Sequence, residues 1–302
     1  MALKIIKSNE QIKVNRIITV IYSNPGIGKT TLAFSSEKPI LFDFDKGAHR
    51  AANRKDIVPV DDWREIKDVS ANDLSEYSTV ILDTAGRALD VLSLDIIRRD
   101  SKMGYGGALS LQGYGRLKAE FSAWLKMIKS MGKDVVLISH SSEDKKGDDL
   151  IERLDIQGGS KGEIYKASDA MARLYIENKK RVLNFSPTDV AFGKNPGCFE
   201  PLLVPQIESE PLFLAGVIQK IKDKLNELSE EQKKRSDAIE EWTSTLADAK
   251  TAADFNGLVT LAKDAEDSIS QIVKGMVHSA ATKAGLTFTK DKGYVDSQEV
   301  VK

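Results

Sequence analysis

The residues best suited to chemistry are consecutive: Ser23-Asn24-Pro25-Gly26-Ile27-Gly28-Lys29-Thr30-Thr31. Gly28-Lys29-Thr30 closes the pattern G-x-x-x-x-G-K-[ST], and Ser23 stands where that pattern opens with glycine. Gly26 and Gly28 let the backbone curl until its N–H groups face one point. A helix beginning near Lys29 adds the positive end of its dipole. Such a cradle suits phosphate. Lys29 would reach the β- and γ-phosphates of ATP, and the Thr30 hydroxyl would ligate Mg²⁺. The competing reading, a chance glycine turn, fits poorly with an apolar run before the loop and a helical pattern after it.

A metal-bound phosphate needs a second element. Thr79-Val80-Ile81-Leu82-Asp83 is an apolar strand ending in a carboxylate, and Asp83 would support the Mg²⁺ through water. Many strands end in Asp, so the pairing with the loop upstream gives this assignment its weight.

The elements that must position these groups alternate. Ile17–Tyr22, Pro39–Phe44, Thr79–Leu82 and Val135–Ile138 are continuous apolar runs, as expected of strands buried on both faces. Between them Leu117–Met131 repeats Phe121, Leu125 and Ile128 at helical spacing and stops at Gly132. Ala172–Ile176 and Arg181–Phe185 read as a late hairpin around Glu177-Asn178-Lys179-Lys180. The pattern implies an α/β domain with a mostly parallel central sheet flanked by helices.

All eight prolines lie at or before Pro211, and the segment Pro205–Pro211 reads as a linker. This predicts a domain over 1–207 and a C-terminal all-helical region over 208–302. In that region Ser229 with Gln232 predicts one helix start and Thr251 with Asp254 another. A last helix is expected to present Ile269, Ile272, Met276 and Ala280 and to stop at Gly285. The tail is acidic and the larger part mildly basic, a modest asymmetry.

Composition narrows the class. Hydrophobic residues make up 41% and charged residues 29% of 302, an ordinary globular balance. One cysteine, Cys198, excludes an intramolecular disulfide framework and a multi-cysteine zinc site. His49, His140 and His278 show no metal-ligand spacing. No apolar run reaches the roughly 18 residues of a membrane span, and the start has no signal-peptide architecture. A cytoplasmic setting is the simplest expectation, with no membrane partner.

The order of motifs resembles RecA-like P-loop ATPases, and the first two hundred residues look like the compact ones encoded by bacteriophages, the Sak-type single-strand annealing and recombination proteins. The phosphate loop, the run Pro39-Ile40-Leu41-Phe42-Asp43-Phe44-Asp45 and the strand Val135–Ser139 ending at His140 carry the RecA-like resemblance; Gln112-Gly113-Tyr114-Gly115 before a long helix, the Ser139-His140 strand end and the late Phe192-Gly193-Lys194-Asn195-Pro196 segment carry the phage-type one. The resemblance implies that Asp45, where the family more often has Glu, orients the attacking water. It implies that His140 stands where a terminal glutamine senses the γ-phosphate. It places one DNA loop at Arg98, Arg99, Lys102, Tyr105, Tyr114 and Arg116, and a second within Ser141–Gln157 and the following Gly158-Gly159-Ser160-Lys161. Cations and tyrosines in such loops suit single strands, through phosphate neutralisation and stacking. Lys161, Arg181 and Lys194 become candidates to reach a neighbouring subunit's γ-phosphate, against the plainer reading of surface cations.

The implied function is ATP-dependent binding of single-stranded DNA in annealing and homologous recombination of phage DNA, in a filament or ring, within the host bacterial cytoplasm. ATP and Mg²⁺ are the implied cofactors, and the helical tail is left to meet a protein partner. A helicase-loading ATPase, a P-loop kinase for a small acceptor and a non-hydrolysing nucleotide-binding protein remain as alternatives.

Overall fold

The computed structural model describes residues 5–7, 10–146, 149–156 and 159–296. In chain order the elements are β1 (Ile18–Ser23), α1 (Lys29–Ala33), β2 (Pro39–Asp43), β3 (Asp56–Pro59), β4 (Thr79–Asp83), α2 (Ala85–Arg99), β5 (Gly104–Tyr105), β6 (Ala108–Leu109) and α3 (Leu111–Ser130). There follow β7 (Asp134–Lys146), β8 (Asp149–Leu154), α4 (Ser160–Ala167), β9 (Ala170–Glu177), β10 (Lys180–Asn184) and β11 (Leu202–Leu203). The chain closes with α5 (Phe213–Asp248), α6 (Ala252–Leu261), α7 (Asp267–Lys283), β12 (Leu286–Thr289) and β13 (Gly293–Asp296).

Contacts divide the chain into two compact units. The larger, Val14–Leu225, is built on a sheet of order β11-β10-β9-β1-β7-β4-β2-β3, with β8 paired to β7. The strands from β9 to β3 in that order run parallel. Every residue of β1, β2 and β4 is buried, which explains their unbroken apolar runs. Alternate side chains serve opposite faces. Val20, Phe42, Leu82 and Leu137 join a core with Leu89, Leu92, Phe121, Trp124 and Leu125 of α2 and α3. Ile21, Leu41, Ile81 and Ile138 join the opposite core with Leu32 of α1 and Leu214, Val217, Ile218 and Ile221 of α5. This is the α/β class, with its flanked and mostly parallel sheet, that the motif order implied.

The expected linker at 205–211 precedes α5, yet the units divide at Leu225. The first turns of α5 bury four aliphatic side chains against the sheet and so belong to the larger unit. A buried ion pair fastens them. Lys222 Nζ lies 2.5 Å from Asp134 Oδ2, and Asp134 Oδ1 accepts a 2.9 Å hydrogen bond from the Ile17 amide.

The described residues from Asn226 onward, with those before Val14, form the smaller unit. Here the sequence reading needs correction in three places. The Ser229/Gln232 start is not used, because α5 continues unbroken to Asp248 through a stretch free of glycine and proline. The Thr251/Asp254 capping box does form and opens α6. The buried stripe of α7 is Ile269, Val273, Val277 and Ala281, while Ile272 is exposed, so the helix is turned from the expected face. The region is also not wholly helical. Gly285, at φ +80°, ends α7, and β12 pairs with β13 in a hairpin. Asn256 of α6 accepts from the Tyr294 amide and donates to the Tyr294 carbonyl, and Phe255 packs edge-on to Tyr294, so side-chain contacts hold a hairpin that helical periodicity does not announce.

Lys222→Met leaves Asp134 buried without its close, buried cation, and only the more distant Arg16 near it. The expected loss is about 3–5 kcal/mol of stability, measured by urea unfolding. A loss below about 1 kcal/mol would show that Arg16, 3.8 Å from Asp134, suffices.

Candidate nucleotide site

The parallel strands deliver their carboxyl ends to one edge of the sheet, where ligands of open α/β sheets bind. β1 ends at Ser23, and the chain turns through Gly26 (φ +81°) and Gly28 (φ +96°) into α1. Both glycines occupy the left-handed region that other residues avoid. The helix that follows has only five residues, so its dipole is a smaller contribution than a full helix would make.

Lys29 is buried by this turn. Its Nζ donates to the Ser23 carbonyl at 3.0 Å, Ser23 Oγ at 3.1 Å and the Asn24 carbonyl at 3.0 Å, and lies 3.3 Å from His140 Nδ1. Ser23 therefore does what a glycine could not, since its hydroxyl helps solvate the ammonium. Burial lowers the Lys29 pKa to about 8, against the opposing attraction of Asp83 and Asp45. On its other side His140 Nε2 lies 3.3 Å from Asp45 Oδ2. Register explains the meeting: His140 lies opposite Ser23 across the β1–β7 pairing.

Asp83 ends β4, with Asp43 beside it on β2. Its Oδ2 accepts from Thr30 Oγ1 at 2.6 Å, and burial first of all raises its pKa. The Asp83 carbonyl accepts from the amides of Phe44 and Asp45, at 2.8 and 3.2 Å. That pins Asp45 at the site. Asp43 is spent on the turn, accepting from the Gly47 and Ala48 amides. A hydroxyl and a buried carboxylate, both hard oxygen donors, fit Mg²⁺, which commonly takes one or two protein groups and completes its shell with phosphate and water. Among the described residues no cluster of three His, Cys, Asp or Glu forms an all-protein cage.

A cavity of 560 Å³, within the usual span for small-molecule sites, is lined by Lys29, Thr30, Thr31, Asp45, Asp83 and His140, with Pro25, Gly26, Gly28 and Arg50 also on its wall. A second cavity of 290 Å³ shares Asp45 and His140 with it. Four residues at the site have no part in it from sequence alone, Ser141 and Asp155 being read only as members of the loop over 141–157. Arg87 lines the second cavity with its Nε 3.5 Å from Asp45 Oδ1. Arg50 lines the first. Ser141 Oγ donates to Asn24 Oδ1 at 2.6 Å. Asp155 donates its amide to the His140 carbonyl at 2.8 Å. Arg87 was within reach of the sequence, because a helix opening after Asp83-Thr84 puts it in its first turn.

The basic residues predicted for DNA fall elsewhere. α2 starts at the site and carries Arg98 and Arg99 roughly 20 Å along its axis at ~1.5 Å per residue. Both are engaged within the chain. Arg98 pairs with Asp62 at 2.6 Å and with Asp95, Arg99 pairs with Asp95 at 2.7 Å and Glu120 at 2.6 Å, and Arg116 pairs with Glu120 at 2.7 Å. Tyr114 packs against the core. Lys102 and Tyr105 do stand in solvent, with Tyr105 89% exposed at the β5–β6 turn. The polar loop expected over 141–157 is instead largely a hairpin, since β7 runs on to Lys146 and pairs back with β8. Gly147, Asp148, Gln157 and Gly158 lie outside the described residues.

The three interface candidates also have partners in their own chain. Lys194 Nζ donates to the Tyr165 and Ser168 carbonyls near the end of α4. Lys161 lies 3.8 Å from Asp144. Arg181 donates to the Pro205 carbonyl at 3.1 Å, and its guanidinium lies so close to Gly28 that a Cβ there would meet Nη1 at 2.8 Å.

The profile of the AAA domain family matches residues 15–196, more than half of the chain. The chain belongs to that AAA domain family. The matched span takes in the Ser23–Thr31 loop, Asp45, Asp83 and His140, and with the mostly parallel sheet it supports a P-loop ATPase in general. Among solved structures, flagellar accessory protein FlaH from Methanocaldococcus jannaschii is similar at 11% identity and a TM-score of 0.37, over 63% of this chain and 90% of that chain. No curated protein sequence matches the chain. No described helix is long and apolar enough to cross a membrane.

The lysine sets a pH dependence. With its pKa near 8 in the folded chain and 10.5 ordinarily, Lys29 binds fewer protons folded than unfolded between those values. Its protonation therefore opposes folding at neutral pH, and this opposition fades as pH rises through that window. Phosphate favours the charged form. ATP should accordingly bind with proton uptake above pH ~8, weakening up to about tenfold per pH unit. Titration of a fluorescent ATP analogue between pH 7 and 9.5 should show this slope, and Lys29→Arg should flatten it.

Proposed function

We propose that this chain is a Mg²⁺- and ATP-dependent protein that binds single-stranded DNA and promotes annealing and homologous recombination of phage DNA, working as head-to-tail copies in a filament or ring. The observation that supports this reading most is the position of His140. It touches Lys29 through one ring nitrogen and Asp45 through the other, and β7 continues from it into the β7–β8 hairpin. The Asp155 amide ties the far foot of that hairpin back to the His140 carbonyl.

In this reading Lys29 exchanges its Ser23, Asn24 and His140 partners for β- and γ-phosphate oxygens. Thr30 and Asp83 would hold Mg²⁺, which when bound neutralises charge developing on the phosphates. Asp45 orients the attacking water. The water oxygen bonds to the γ-phosphorus as the bond to the bridging oxygen breaks, ADP leaves with that electron pair, and the water's proton passes to Asp45. His140, released by Lys29, turns its Nδ1 to the new state of the site and carries that change into β7. DNA phosphates would meet Lys102 and the backbone of the β7–β8 hairpin, and a base would stack on Tyr105.

ATP hydrolysis with and without single-stranded DNA tests this. Stimulation by DNA, abolished in Lys29→Ala, is the expected result, and hydrolysis indifferent to DNA would favour a helicase-loading role. Asp45→Asn should lower kcat by roughly 10²–10⁴-fold while ATP still binds. Tyr105→Ala should weaken single-strand binding by ~1–3 kcal/mol, read by fluorescence anisotropy, and leave DNA-free hydrolysis unchanged.

A further inference from the structure

Asp45 is held from two sides, and only one of them has been given a part. His140 Nε2 faces Oδ2 at 3.3 Å, and Arg87 Nε faces Oδ1 at 3.5 Å. Arg87 comes from α2, whose start is fixed by Asp83 and by Thr84, the side chain of which caps the helix by accepting from the Arg87 amide. Its Nη1 also lies 3.4 Å from Asp90 Oδ2, one turn on, which orients the guanidinium. The Arg87 side chain is 65% exposed on the wall of the smaller cavity. An ion pair with so much solvent contributes little to stability. Its position on the far oxygen of the water-orienting acid is then its informative property. Aspartate is also one methylene shorter than the glutamate the resemblance implies, so its carboxylate has less freedom to find the water by bending.

We propose that Arg87 is a positioning residue for ATP hydrolysis. It fixes the Asp45 carboxylate through Oδ1, so that Oδ2 stays between His140 and a water entering from the smaller cavity. This rests on the ATPase reading above. Arg87 lines the smaller cavity and not the larger one walled by Lys29 and Thr30, so its effect passes through Asp45. Lysine, a point charge, would replace the attraction and lose the planar orientation.

A double-mutant cycle on the full chain tests this, with kcat, KM and ATP affinity measured for Arg87→Gln, Arg87→Lys, Asp45→Asn and Arg87→Gln/Asp45→Asn. Arg87→Gln should lower kcat at least tenfold, keep the ATP dissociation constant within twofold and leave the melting temperature unchanged. Arg87→Lys should recover part of the rate. In single-turnover assays, adding Arg87→Gln to Asp45→Asn should cost nothing further. An equal loss in both backgrounds would overturn the proposal, as would a tenfold weaker ATP affinity or an unchanged kcat in Arg87→Gln. Wild-type protein without hydrolysis sensitive to Lys29→Ala would instead overturn the ATPase reading, a result distinct from an active enzyme that ignores Arg87.

Discussion

One buried ammonium organises this structure. Lys29 is held in a loop that gives it the Ser23 and Asn24 carbonyls, the Ser23 hydroxyl and an imidazole nitrogen in place of water. Those partners are adequate but not equal to bulk solvent, and burial draws its pKa down to about 8. A phosphate group would restore full charge stabilisation. Ser23, the departure from the phosphate-loop pattern, is one of the partners that hold the ammonium.

The sheet exists, for this purpose, to bring three strand ends to the ammonium. β7 lies between β1 and β4, so His140 stands opposite Ser23 while Ile138 stands opposite Asp83. Backbone bonds from Phe44 and Asp45 to the Asp83 carbonyl then carry the chain after β2 across to the same point. The two cores that stiffen these strands use alternate residues of the same apolar runs. The result is a chain of polar contacts, Lys29 to His140 to Asp45 to Arg87, running across the strand ends.

Much of this was legible in the residues. Runs buried on both faces announce a parallel sheet whatever their partners, and Gly28-Lys29-Thr30 after such a run leaves little choice of ligand. What was not legible depends on pairing across distance. Arg98, Arg99 and Arg116 look like nucleic-acid contacts until Asp62, Asp95 and Glu120 are brought beside them. The segment after His140 reads as a polar loop because Ser141–Lys146 is wholly polar, and the buried Ile151 and Leu154 of β8 are too few to announce a strand. The strands β12 and β13 have four residues each, and their hairpin depends on Asn256 and Phe255 of α6.

The most direct test of the site is a crystal structure with a non-hydrolysable ATP analogue and Mg²⁺. Lys29 Nζ is expected within hydrogen-bonding distance of β- and γ-phosphate oxygens, parted from His140. The metal is expected on Thr30 Oγ1, with Asp83 behind it and Asp45 facing the γ-phosphate. An analogue seated away from the Ser23–Thr31 loop, or a Lys29 still bound to Ser23 and His140 beneath it, would contradict this account.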